Sequence, residues 1–134
     1  MTLIYDPDLT HWDAVKGWLG EACTYGDGWW SIEKVHNLLL DGRAALWVLM
    51  PGSTPVAGVV TAIAEEDDGR KVAEVVMAGG SGVIGHIGPE LPTIEAWARA
   101  HGAAELLLRG RRGWARVTRG HGWEEIAVTM RKEL

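Results

Sequence analysis

Phenylalanine is absent from this 134-residue chain, and only two tyrosines accompany its eight tryptophans. Any aromatic part of a core is therefore built almost wholly from indole rings. Cysteine occurs once, as Cys23. No internal disulfide can form, and no Cys/His spacing reads as a zinc site. This usage points to a reducing, cytoplasmic setting. No apolar run approaches the roughly 20 residues of a membrane span. Residues 1–8 have neither a basic start nor an apolar signal core, so nothing there suggests secretion. Linkers, internal repeats and low-complexity stretches are missing too. What is present is 47 % hydrophobic and 23 % charged residues. That balance excludes a disordered chain, a collagen-like chain and a coiled coil. The length fits one domain over 1–134, which buries roughly two thirds of the unfolded chain's surface.

Basic charge is scarce over most of the chain. Residues 1–98 hold five Lys/Arg against fourteen Asp/Glu, a net of −9, and residues 99–134 hold eight against four, a net of +4. Together these make the formal −5. An acidic domain is a poor general nucleic-acid binder. The basic cluster Arg109, Arg111, Arg112, Arg116 and Arg119 has three readings. It meets phosphates of a small ligand, docks on an acidic partner, or forms a solvated face paired with Glu124 and Glu125.

Periodicity sets out the elements. Leu3-Ile4-Tyr5 is a short strand. Thr10 caps a helix to about Ala22, with Trp12, Val15, Trp18, Leu19 and Ala22 at helical spacing. Ser31 caps a second helix carrying Val35, Leu38 and Leu39, which Asp41-Gly42 ends. Strands follow over 44–50, 55–64 and 71–77, the last two joined by the acidic turn 65–70. Five glycines then fall within 79–88. Pro92 opens a helix with Ile94, Trp97 and Ala98 on one face, stopped by Gly102. Leu106-Leu107-Leu108 is a strand, 112–119 a short helix and 123–130 a final strand. The expected order is β-α-α-β-β-β-α-β-α-β, a mixed α/β (α+β) domain.

That order, with a glycine loop between the fourth strand and the third helix, resembles the GNAT (GCN5-related N-acetyltransferase) fold. The segment 113–123 resembles the family's last helix and its Gly-aromatic step into the final strand. The segment 94–103 resembles the helix after the phosphate loop. Leu46-Trp47-Val48, 94–98 and 110–117 are similar to small GNAT-like proteins of phages and prophages. The resemblance implies a mostly antiparallel central sheet with helices on both faces. It also implies acetyl-CoA as acyl donor, no metal, and acyl transfer to an amine of a small molecule or a protein. A splayed strand end would offer backbone groups to the pantetheine arm, and a glycine turn its N–H donors to the pyrophosphate. The family's Gln/Arg-x-x-Gly-x-Gly/Ala motif is best matched by 77–82. The implied cofactor set is Val76, Met77, Gly79, Gly80, Ser81 and Gly82, with Met77 replacing the leading Gln/Arg. The leaving-thiolate Tyr of many members corresponds to Thr118, which is no useful acid for a thiolate.

Glu74, on the strand before the loop, and His86, within the loop, are the candidate bases. Each also reads as an ordinary exposed residue. Tyr25, Trp29 and Trp30 fall where the acceptor side lies, and paired indoles suit a cationic amine. They equally suit a loop packed on the core. His36 and His121 read as structural or exposed, and Cys23 as a buried, inert thiol. Residues 80–85 spell G-x-G-x-x-G after a strand. A dinucleotide site is disfavoured there, because forty-nine residues follow Gly85 and Arg109 stands where an NAD site wants an acid. The rival to an acyltransferase is a non-catalytic GNAT-like module, with a virion or host protein as partner. Edge strands leave a homodimer open.

Overall fold

A computed structural model describes residues 2–24, 30–81, 87–109, 113–126, 130 and 132–134. The chain runs β1 (Thr2–Tyr5), α1 (Trp12–Thr24), α2 (Ile32–Leu40), β2 (Ala45–Met50), β3 (Ala57–Glu65) and β4 (Lys71–Gly80). A 3-10 turn (Gly88–Glu90) leads into α3 (Leu91–Ala100), followed by β5 (Ala103–Leu108) and α4 (Gly113–Thr118). The five strands form one sheet in chain order. The first three pairings are antiparallel and β4–β5 is parallel. A parallel step needs a crossover, and α3 supplies it.

Strand alternation divides the core between the two faces of this sheet. All six residues of β2 are buried. Leu46, Val48 and Met50 meet Trp12, Val15 and Leu19 of α1 and Val35 and Leu39 of α2. Trp47 and Leu49 face the other way, toward Leu91 and Ile94 of α3. Each fully buried aliphatic contributes about 1.5–3 kcal/mol. Trp47 also has a polar edge to satisfy. Its indole N–H donates to the hydroxyl of the fully buried Thr61 at 2.9 Å.

The helix ends follow local chemistry. Ser31 Oγ accepts the Lys34 amide at 3.2 Å, as a Ser N-cap should. Gly42 (φ 71°) and Gly102 (φ 81°) take the left-handed conformation that closes α2 and α3. The start of α1 differs from the sequence expectation. In the first turn of the helix the Ala14 and Val15 amides bond to the His11 carbonyl at 3.1 and 3.2 Å, one residue past Thr10, while the Asp6 carboxylate accepts the Thr10 and His11 amides of the preceding turn at 3.0 and 2.9 Å.

Strand boundaries also move. β4 continues past Met77 to Gly80, and β5 starts at Ala103. The expected last strand is not seen in 123–126, which has no regular structure. Trp123 packs against the α3 face, whereas Ile126 is 70 % exposed. Residues 127–129 of that stretch lie outside the described residues.

Candidate functional site: the open half of β4

The two halves of β4 are held differently. Lys71–Val75 pairs with β3 on one side and with β5 on the other. Beyond Val75↔Leu108 no pairing with β5 remains, and among the described residues Val76–Gly80 is laddered to β3 alone. The change falls at a bulge. Val60 faces Met77 and Thr61 faces Val75, leaving Val76 without an opposite number. An extra residue bends the strand and raises its twist. Its signature is that Val76 and Met77, though adjacent, both pack on the α1/α2 face. Along the open edge, every second residue turns its N–H and C=O outward, unclaimed by any strand among the described residues.

Glu74 stands opposite Ala62, on the α1/α2 face, two residues before the bulge. Its carboxylate is 27 % exposed and lies 3.8 Å from Arg109 Nε. Arg109 directly follows Leu108, the last β5 residue paired to β4. The ion pair therefore bridges the two strands where they part. Cys23 Sγ sits 3.9 Å from Met77 Sδ on the same face. Burial, and then the negative charge of Glu33, push its thiol above the ordinary range. It stays protonated near neutral pH and is no nucleophile.

The glycines of β4 have a packing duty. Gly79 pairs across the sheet with Gly58. A Cβ on Gly79 would lie 2.5 Å from the Trp18 carbonyl oxygen, and one on Gly58 3.0 Å from Val15 Cβ. The two bare positions let α1 lie directly on the sheet. A Cβ on Gly80 would lie 2.6 Å from Ala57 Cβ. Ser81, meanwhile, gives its amide to the Val56 carbonyl at 3.0 Å, extending the β3–β4 ladder.

The start of α3 offers few donors. Pro89 and Pro92 have no N–H. The Glu90 amide is spent on the Ile87 carbonyl at 2.8 Å, and that of Leu91 on Gly88. The Glu90 carboxylate accepts the Leu3 amide of β1 at 3.4 Å. Gly88 is covered by α4, where an added Cβ would lie 2.8 Å from the Val117 carbonyl oxygen.

Trp30 is partly buried on the α1/α2 core. It lines a shallow cavity of about 300 Å³ with Lys34, Asn37, Leu38, Asp41 and Arg43. Tyr25, Trp29, Gly82, His86, Arg111 and Arg112 lie outside the described residues. His36 stacks on Trp12 at 4.6 Å. Thr118 is buried, and its hydroxyl donates to the Trp114 carbonyl at 2.8 Å, so its proton is committed. Among the described residues, no group of three or more His, Cys, Asp or Glu side chains gathers as a metal site. Nor is any helix among them long and apolar enough to cross a membrane. Sequence reasoning missed two neighbours of the site. Arg109, as partner of Glu74, was signalled only by its place after a strand run. Glu90 carried no signal beyond its prolines.

No family model matches the chain, and no curated protein matches it. Solved structures do. A protein described as a probable acetyltransferase superposes with a TM-score of 0.73 at 11 % identity, over 100 % of this chain and 97 % of that one. An aminoglycoside acetyltransferase from an uncultured soil metagenomic sample gives 0.71 at 12 %, over 100 % and 99 %. A Trypanosoma brucei acetyltransferase gives 0.66 at 16 %, over 98 % of each chain. At such identities the likeness shows the fold, which is GNAT-like.

Proposed function

We propose that this protein is a thioester-dependent N-acyltransferase that moves an acetyl group onto an amine. The observation that carries this reading is the open edge Val76–Gly80 beyond the bulge, with Glu74 two residues before it. An acyl donor such as acetyl-CoA supplies an activated carbonyl and a thiolate leaving group. The chain's side of the fit is good for the pantetheine arm, whose amides complement the outward backbone groups of Ala78 and Gly80, the residues alternating with those bonded to β3. Among the described residues at the start of α3, Pro89 and Pro92 bring no N–H and the Glu90 and Leu91 amides are already bonded. Glu74 takes the proton of the incoming ammonium, so that nitrogen attacks as the free amine. Arg109 keeps that carboxylate turned toward the mouth of the β4–β5 gap. The acceptor approaches from the α1/α2 side, past Trp30, whose ring face suits a cation. The setting we assign is cytoplasmic.

Thermal melting with acetyl-CoA tests the donor, because binding to the folded state raises Tm in proportion to the logarithm of concentration. Glu74→Gln tests the base. It should lower kcat about 100-fold, while the melting point and the donor-induced shift stay put. No shift with any acyl thioester at millimolar concentration would sink the reading. A second reading is favoured by the committed hydroxyl of Thr118, which leaves no acid at that position. It is a non-catalytic GNAT-like module, of the kind seen in phages and prophages. It predicts no thioester binding at all.

A further inference from the structure

Basic side chains are scarce in residues 1–98, and two of the five meet in one place. Lys34 and Arg43 both line the cavity of about 300 Å³ beside α2. Lys34, Leu38 and Asp41 follow helical spacing along one stripe of α2 and its C-cap. Against two cations the described lining sets one carboxylate, Asp41, a net +1 within a stretch that sums to −9.

The fold fixes Arg43 at this groove. Gly42 (φ 71°) donates its amide to the Leu39 carbonyl at 3.2 Å, and Arg43 donates its own to the Leu38 carbonyl at 2.9 Å. These are the two bonds of a Schellman motif. The motif turns the chain back at the end of α2 and sets Arg43 beside Leu38, an apolar wall of the same groove. At the other end Trp30, just before the Ser31 cap, adds its ring. A guanidinium holds a carboxylate through two parallel N–H donors. Leu38 and Trp30 suit the apolar carbons beside that carboxylate.

The groove lies on the Glu74 side of the sheet. Trp30 and Ala44 pack on the α1/α2 core, as does Ala62. Ala44 precedes the Ala45↔Thr61 pair by one residue and Ala62 follows it by one, so the two stand level. Glu74 lies opposite Ala62. Two interstrand steps, about 10 Å, thus separate the backbone beside Arg43 from that of Glu74. Resting on the acyltransferase reading, we propose that the acceptor is an amino carboxylate. Its carboxylate sits on Arg43 in the α2 groove, and its amine, on a spacer of several carbons, is presented to Glu74. Lys34 adds to the positive field at the carboxylate end.

Steady-state acylation by the full chain with acetyl-CoA tests this on matched acceptors, 6-aminohexanoate against hexylamine and 4-aminobutyrate against butylamine. The carboxylate should raise kcat/KM about tenfold, mainly through KM. Arg43→Ala should bring each pair level, and Arg43→Lys should recover part of the preference. Lys16→Ala, at a basic residue outside the groove lining, should keep it. An Arg43 that served only the C-terminal dipole of α2 would shift Tm slightly and leave the preference intact. Three results would overturn the proposal and leave the acyltransferase reading standing: plain amines used as well as amino carboxylates, a preference that survives Arg43→Ala, or acetyl-CoA binding with neither pair acylated. If acetyl-CoA does not bind and no acceptor is acylated, the acyltransferase reading falls. Calorimetric titration with 6-aminohexanoate alone then decides the groove. Binding weakened about tenfold by Arg43→Ala upholds it as a carboxylate site, and no binding overturns both.

Discussion

The first half of β4 is structural in a way the second half is not. Lys71–Val75 has a strand on each side, and Val72, Ala73 and Val75 are buried. Its backbone is held by a ladder on each side, and Glu74 is the side chain it turns toward the site. Val76–Gly80 keeps one strand neighbour and leaves its other edge open. What separates the halves is a single surplus residue, Val76. The lesson is that a sheet can make a binding edge without unfolding anything. It adds one residue on one strand and ends the neighbouring strand there.

The sharpest way to break the comparison is to burden the open half where α1 lies on it. Gly79→Val places a branched side chain against the Trp18 carbonyl, and neither backbone can yield far. The expected cost is about 3 kcal/mol, which lowers Tm by roughly 10 °C in a chain of this size. A Tm within a degree or two of wild type would mean that α1 does not rest on the Gly58–Gly79 pair.

Cys23 probes the same half more gently. Its thiol touches Met77, and burial with Glu33 raises its titration. The folded chain keeps the proton where the unfolded chain loses it. Stability therefore declines as pH rises above the ordinary thiol range. Alkylation at pH 8.5 should be slower in the folded protein than in the denatured chain. Glu33→Gln should speed it, having removed one of the two causes. Equal rates for folded and denatured chains would contradict the placement.

Much of this fold was legible in the sequence because most elements carry their own signal. The helical spacing of Val15 and Leu19, the Ser31 cap, the Gly42 stop and the β-rich run 55–64 each rest on local chemistry. The indole count was legible too. Trp12 and Trp47 are buried, and Trp18, Trp30, Trp97, Trp114 and Trp123 pack on one core cluster or the other. Misreadings came where a distant partner decided. Asp6 orders the turn at Thr10 and His11, and α1 starts one residue later than a Thr10 cap would set it. Gly79 looked like a loop residue, because a glycine demanded by a helix across the sheet is indistinguishable in sequence from one demanded by a turn. The bulge left no mark either. Val75, Val76 and Met77 are all apolar, so no break in alternation advertised the extra residue. The candidate site was accordingly half visible: Glu74 and the strand were, while Arg109's pairing and the Glu90–Leu3 hydrogen bond depended on tertiary contacts.

The smallest effect sharpens the comparison most. Two ion pairs tie β4 to its parallel neighbour, one at each end of their shared ladder. Arg70–Glu105 closes to 2.7 Å beside the start of β4, with both side chains about half exposed, at 49 % and 48 %. Glu74–Arg109 stands at 3.8 Å where the strands part. Exposed pairs of this kind contribute under about 1 kcal/mol. Arg70→Ala and Arg109→Ala should therefore look alike in a melting experiment, each moving Tm by only a few degrees. They should differ in function. Arg70 lies at the closed end, so its loss leaves turnover of an amine acceptor unchanged. Arg109 lies at the open end, so its loss frees the Glu74 carboxylate to swing from the mouth. That lowers kcat severalfold, and Arg109→Lys should recover part of the loss by restoring the charge. If both alanine variants reduce turnover equally, the two halves of β4 do not divide the work as their pairing implies.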